Sequence, residues 1–172
     1  MDASKYENAI LFFAERVQGL GRVKLNKLLY FADFDHFEKY GQPITGDVYV
    51  NNELGPVPQH IQDVLSGMIQ DKKVEVVAEP LIDYVRYSLR PLARWSPGAF
   101  ESREIEMLCS VASKWGGHTA REIVIASHGE APWLATRKGE EIPYPLAYYR
   151  GKFDESEPDY DSERRDEPLT VA

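Results

Sequence analysis

The sequence predicts an α+β domain that is predominantly α-helical, with five or six helices around a central buried helix at 22–40 and a small antiparallel hairpin at 74–89. Three observations predict it. Apolar residues recur at helical spacing over most of the chain. The run from Lys24 to Tyr40 is apolar on more than one side, so neighbours must grip it from several directions. Two β-branched or aromatic runs, Val74 to Ala78 and Tyr84 to Leu89, flank the short joint Glu79-Pro-Leu-Ile-Asp83.

Ser4 to Glu7 has capping-box spacing, and Tyr6, Ala9, Ile10, Phe13 and Val17 then share one face before Gly19 and Gly21 stop the first helix. Leu11 and Phe12 fall off that stripe. Cover by another element is the favoured reading for them, and contact with a partner the second. In the second helix Leu25, Leu28, Leu29, Ala32, His36 and Tyr40 form one stripe, with Tyr30, Phe34 and Phe37 on the opposite flank. After Gly41, Pro43 and Gly46, residues 47–50 read as a short strand that is a candidate third member of the hairpin sheet. Gly55-Pro-Val-Pro58 is expected to open the third helix, whose apolar positions are Ile61, Val64, Leu65, Met68 and Ile69. In the second hairpin strand Val85, Tyr87 and Leu89 share a face that should be core. Ile105, Leu108, Cys109, Ala112 and Trp115 mark a fourth helix, the capping box Thr119 to Glu122 starts a fifth, and Pro145 to Tyr149 suggests a docked helical turn.

The 172 residues with 43% apolar content suffice for one core, so a domain at 1–150 followed by a tail at 151–172 is expected. The net charge is −8, of which the tail carries −5 through eight carboxylates against three basic residues. Such a tail has the composition of a disordered segment. The balance disfavours nucleic acid as a partner unless basic residues gather on one face. Cys109 is the lone cysteine, which excludes an internal disulfide and a thiolate zinc site and fits a reducing, cytoplasmic setting. No leader and no membrane span is read.

Familiar catalytic signatures are missing. Gly19-Leu-Gly21 lacks a third glycine and follows a helix, and His128-Gly-Glu130 lacks the cysteine half of a zinc deaminase site. Asp33, Asp35 and His36 could offer metal ligands, but a hydrogen-bonded structural histidine flanked by hydrated carboxylates is favoured. No metal, no cofactor and no enzymatic activity are therefore expected. Arg86, Arg90 and Arg94 beside three short helices allow a winged-helix DNA-binding reading, against which a solvated strand edge is favoured.

Lys24-Leu-Asn-Lys-Leu-Leu-Tyr-Phe-Ala-Asp33 resembles the opening signature of the Panacea domain, the SocA-like antitoxin family of bacteria and their phages. Gly41-Gln-Pro-Ile-Thr45, Gly55-Pro-Val57 and Ser127-His-Gly-Glu-Ala-Pro-Trp133 resemble further family motifs in the same order. The segment Val50-Asn-Asn-Glu-Leu54 departs from the aromatic-rich pattern. The resemblance implies an antitoxin that neutralises a cognate protein toxin by direct contact, or an adaptor that delivers the toxin to a AAA+ protease. Candidate toxin-binding or latch residues are His128, Pro132 and Trp133, with His36 as a hydrogen-bond partner for their loop, together with Leu11 and Phe12. For the loop the latch is favoured over direct contact.

Overall fold

The computed structural model describes residues 1–80, 82 and 85–150. Among the described residues six α-helices surround or flank one another as α1 (Ala3–Arg16), α2 (Arg22–Tyr40), α3 (Ile61–Gln70), α4 (Ser102–Trp115), α5 (Ala120–His128) and the single turn α6 (Ala131–Leu134). Five strands are interspersed: β1 (Tyr49–Val50), β2 (Val57–Pro58), β3 (Val74–Pro80), β4 (Val85–Pro91) and β5 (Glu141–Ile142). Short 3-10 segments cover Pro97–Ala99 and Tyr144–Tyr149. The acidic tail lies outside the described residues.

The expected central helix is present. From Lys24 to Phe34 every residue of α2 is buried, and α1, α4, α5, β2 and the 144–149 segment pack around it. Its aromatics are held by rings from distant parts of the chain. Phe31 stacks on Trp115 at 4.7 Å, while Phe34 meets Tyr144 at 4.8 Å and Tyr49 at 5.4 Å. Gly41 stops the helix in the left-handed conformation at φ 73°, which glycine adopts without a Cβ penalty. The docked turn at the end of the domain is that same 144–149 segment, with Ala147 buried.

Several local expectations are revised. The cap of α1 is Asp2, whose carboxylate accepts the Lys5 N–H at 3.0 Å, so the helix starts before the Ser4 box. Residues 57–58 do not begin α3 but form β2, which pairs with β1. The N-cap of α3 is His60. Strand β1 does not join the hairpin; it is the centre of a separate three-stranded antiparallel sheet in the order β2-β1-β5. Asp33, expected beside water, is fully buried. Its carboxylate accepts the N–H groups of Ile44 (2.8 Å) and Thr45 (2.7 Å), the Thr45 hydroxyl, and the Tyr49 hydroxyl at 2.8 Å, which fixes the loop after α2.

The hairpin also differs from expectation. Glu75 faces Arg90 and Glu79 faces Arg86, each pair forming a salt bridge, with Val77 opposite Ser88 between them. The other face carries Val76 opposite Leu89, Ala78 opposite Tyr87 and Pro80 opposite Val85. That face was expected in the core. Only its base is: Val74 is buried and Leu89 is half-buried, whereas Val76 is 53% and Tyr87 63% exposed. Alternation still sorts apolar from polar, but among the described residues the apolar side is covered only in part, by α3. The hairpin is tied to the domain where the Leu89 N–H donates to the Leu20 carbonyl at 2.9 Å.

Candidate docking and latch sites

Three segments far apart in sequence meet at one junction beside α2. Lys27 is only 1% exposed and its ammonium donates to the Pro56 carbonyl at 2.6 Å. Burial pushes its pKa down to about 7. Gly55, at φ 87°, lies so close that a Cβ there would sit 2.8 Å from Lys27 Cε and 2.5 Å from Ser127 Oγ. Glycine is therefore required on both counts, since any side chain would be strained and would collide. Ser127 is buried and donates to the Val124 carbonyl at 2.8 Å, so Lys27 of α2, Gly55 and Pro56, and Ser127 meet at one point.

The 127–136 segment is held from several directions. His128 stacks on Trp133 at 4.0 Å and 17°. Asn51 donates to the carbonyls of Trp133 (2.9 Å) and Thr136 (3.0 Å), and Trp133 Nε1 donates to the Asn52 carbonyl at 3.3 Å. Pro132 is buried, and the half-buried Trp133 lines a cleft of about 460 Å³ together with Asn51, Glu53 and Lys138. Burial, assisted by the nearby Lys27, lowers the His128 pKa from its ordinary value.

His36 was expected to hold this loop, and it does not. Its Nδ1 is hydrogen-bonded to the Gln42 carbonyl, across the turn that ends α2, and its ring lies 4.7 Å from Tyr40. The contact between α2 and the loop is made instead by Tyr30, whose hydroxyl donates to Glu130 at 2.7 Å. Arg150 donates to the other Glu130 oxygen at 2.6 Å and pairs with Asp35. Burial pushes the Glu130 carboxyl up, and Arg150 opposes that without cancelling it. Burial likewise disfavours the Arg150 cation, but Glu130 and Asp35 outweigh it and the net shift is upward. Sequence reasoning missed Tyr30, Glu130, Arg150, Asn51 and Lys27. Lysine at position 27, inside the most apolar run of the chain, was the one local signal that a polar group there had a buried partner.

Leu11 and Phe12 are core residues, 4% and 0% exposed. Trp95 packs edge-on to Phe12 at 5.1 Å and the Arg16 guanidinium caps the ring at 4.5 Å. The covered reading therefore holds, and neither side chain is open to a partner in this state. Arg86 and Arg90, two of the three arginines behind the DNA-binding reading, are engaged by Glu79 and Glu75. Among the described residues no group of three or more His, Cys, Asp or Glu is arranged to hold a metal ion, and no helix is long and apolar enough to cross a membrane.

What remains open is the hairpin. Its apolar face continues into a groove of about 240 Å³ against α3, where Leu20, Leu65, Ile69, Val76, Tyr87 and Leu89 are the apolar lining. Ile69, expected to be core, is 43% exposed on that groove. The fold is thus a helical domain with an internally secured loop on one side and an uncovered apolar arm on another. The family described as Antitoxin SocA-like, Panacea domain, matches residues 25–134, a span that contains the motif junction and the whole arm. The chain belongs to that family. No curated protein and no solved structure matches it.

Proposed function

We propose that this chain is a cytoplasmic antitoxin that neutralises its cognate protein toxin by holding it in a non-covalent complex, without catalysing a reaction. Family membership supports a toxin-antitoxin role in general. The observation that carries the finer reading is the hairpin face: large apolar side chains left in water on a paired arm are the usual mark of a protein contact. The toxin is the occupant assigned to that face and to the groove beside α3. In this reading His128, Pro132 and Trp133 act as a latch that shapes the domain, and the acidic 151–172 segment screens a basic surface of the toxin.

Co-expression with the product of the adjacent gene tests the proposal. The wild-type chain should rescue growth and copurify with the toxin, whereas Val76→Glu should fold normally, lose the complex and fail to rescue. Rescue and copurification unchanged by Val76→Glu would remove the arm from the interface. Rescue accompanied by a shortened toxin half-life would replace sequestration with delivery to a AAA+ protease.

A further inference from the structure

A second cleft, of about 560 Å³, opens between the loop before α2, the start of α5 and strand β4. Its charged lining is wholly basic: Arg22, Lys24 and Arg86 contribute, with His118 beside them, and no described lining residue is a carboxylate. This is unexpected in a chain of net charge −8. Lys24 is the strongest sign. It is 8% exposed, one ammonium proton goes to the Gly116 carbonyl at 2.7 Å, and no described carboxylate lies within ion-pair distance of it. Buried ammonium groups ordinarily sit beside an anion, because desolvation of an unpaired charge is costly. Burial accordingly pushes the Lys24 pKa below its ordinary value.

Two acids lie nearby, and both are committed elsewhere. Glu122 acts on Lys24 only at a distance, since its carboxylate accepts the Thr119 N–H at 2.7 Å and hydroxyl at 2.8 Å. Glu79 is engaged by Arg86. At the mouth Arg22 is exposed and forms no ion pair with a described residue. Gly19, Gly21 and Gly117 keep the wall low, α2 begins there without a capping side chain, and the exposed Tyr87 is among the lining residues.

We infer that this cleft binds a nucleoside polyphosphate, with the phosphates between Arg22 and the inner Lys24 ammonium and the base against Tyr87. The bound phosphate supplies the counter-ion that Lys24 lacks. A cleft of this volume accommodates a nucleotide, whereas a lone inorganic ion would leave most of it empty. The inference does not depend on the toxin-binding reading, because it needs no partner protein and its inner wall of Lys24, Gly117 and His118 lies outside the groove beside α3, which shares only Arg22 and Tyr87 with this cleft.

Calorimetric titration of the full chain at low salt with ATP, pyrophosphate and adenosine tests it. ATP should bind, pyrophosphate more weakly, and adenosine not at all; Arg22→Ala and Lys24→Met should each weaken ATP by about tenfold or more, the loss expected for one charge-assisted contact. Lys24→Met removes an unpaired buried charge and should remain folded, which a melting curve checks. Adenosine binding as tightly as ATP, ATP affinity unchanged in both variants, or no ATP binding by the wild-type chain would each overturn the assignment. Preferential binding of a single-stranded oligonucleotide over ATP would overturn it as well, giving the cleft to nucleic acid.

Discussion

Helix α2 and the β3–β4 arm are both rich in apolar and aromatic residues, yet the first has every residue from Lys24 to Phe34 buried while the second leaves Val76, Val85 and Tyr87 in water. The difference lies in what surrounds them. Five other elements close over α2, whereas the arm meets the body along part of its length, through α1, α3 and the loop before α2, and owes its shape to its own ladder and to the Glu75–Arg90 and Glu79–Arg86 pairs. A two-stranded hairpin is marginal on its own. Here cross-strand ion pairs on one face support the geometry in which the other face stays apolar and open. Core apolar surface specifies the fold, and the arm's apolar surface is available for recognition.

Substitutions should separate the two regions by the size of their effect on stability. Asp33→Ala is the most damaging expected change, because it strands two backbone N–H groups and two hydroxyls in the interior; a loss of about 4 kcal/mol in urea unfolding is expected, and a loss below about 1 kcal/mol would show that the loop after α2 is held by other means.

Lys27 should give the opposite sign. Its folded pKa of about 7 lies below the unfolded value of 10.5, so between those limits the unfolded chain binds more protons and stability rises with pH. The wild-type chain should gain about 3 kcal/mol between pH 7 and pH 10 relative to Lys27→Met, at about 1.4 kcal/mol per pKa unit. Parallel pH profiles for the two proteins would contradict a buried, unpaired ammonium.

Asn51→Ala should cost about 2 kcal/mol by removing the donor to the Trp133 and Thr136 carbonyls, and should quicken hydrogen exchange across 131–136. Unchanged exchange there would mean that the His128–Trp133 stack and the Tyr30–Glu130 bond suffice. Val76→Thr on the arm should change stability by less than about 0.5 kcal/mol. A larger loss would mean that the arm is part of the cooperative core and would blur the contrast drawn above.

Much of this was legible from local patterns. The 3.6-residue period located α1 through α5, the Thr119 to Glu122 box capped α5 as expected, and period-two alternation sorted the arm into an apolar and a charged face. The boundary of α3 was misread because proline suits both a first helical turn and a short edge strand, and only pairing with Tyr49 and Val50 decides between them. His36 was misassigned for a similar reason. Helical spacing places it on the buried stripe but cannot say that the Gln42 carbonyl, six residues on, reaches it first.

By itself the sequence determined the helical character of the domain, its central helix and the order of the motifs that carry the family resemblance, because periodicity, caps and turn residues act over a few neighbouring positions. Only the tertiary structure decided that Leu11 and Phe12 are covered, that Tyr30 rather than His36 grips the 127–133 loop, that the apolar side of the hairpin is open, and that Arg22 and Lys24 share a basic cleft. Each of these depends on which distant segments meet, and packing between elements is set by shape and volume over the whole core.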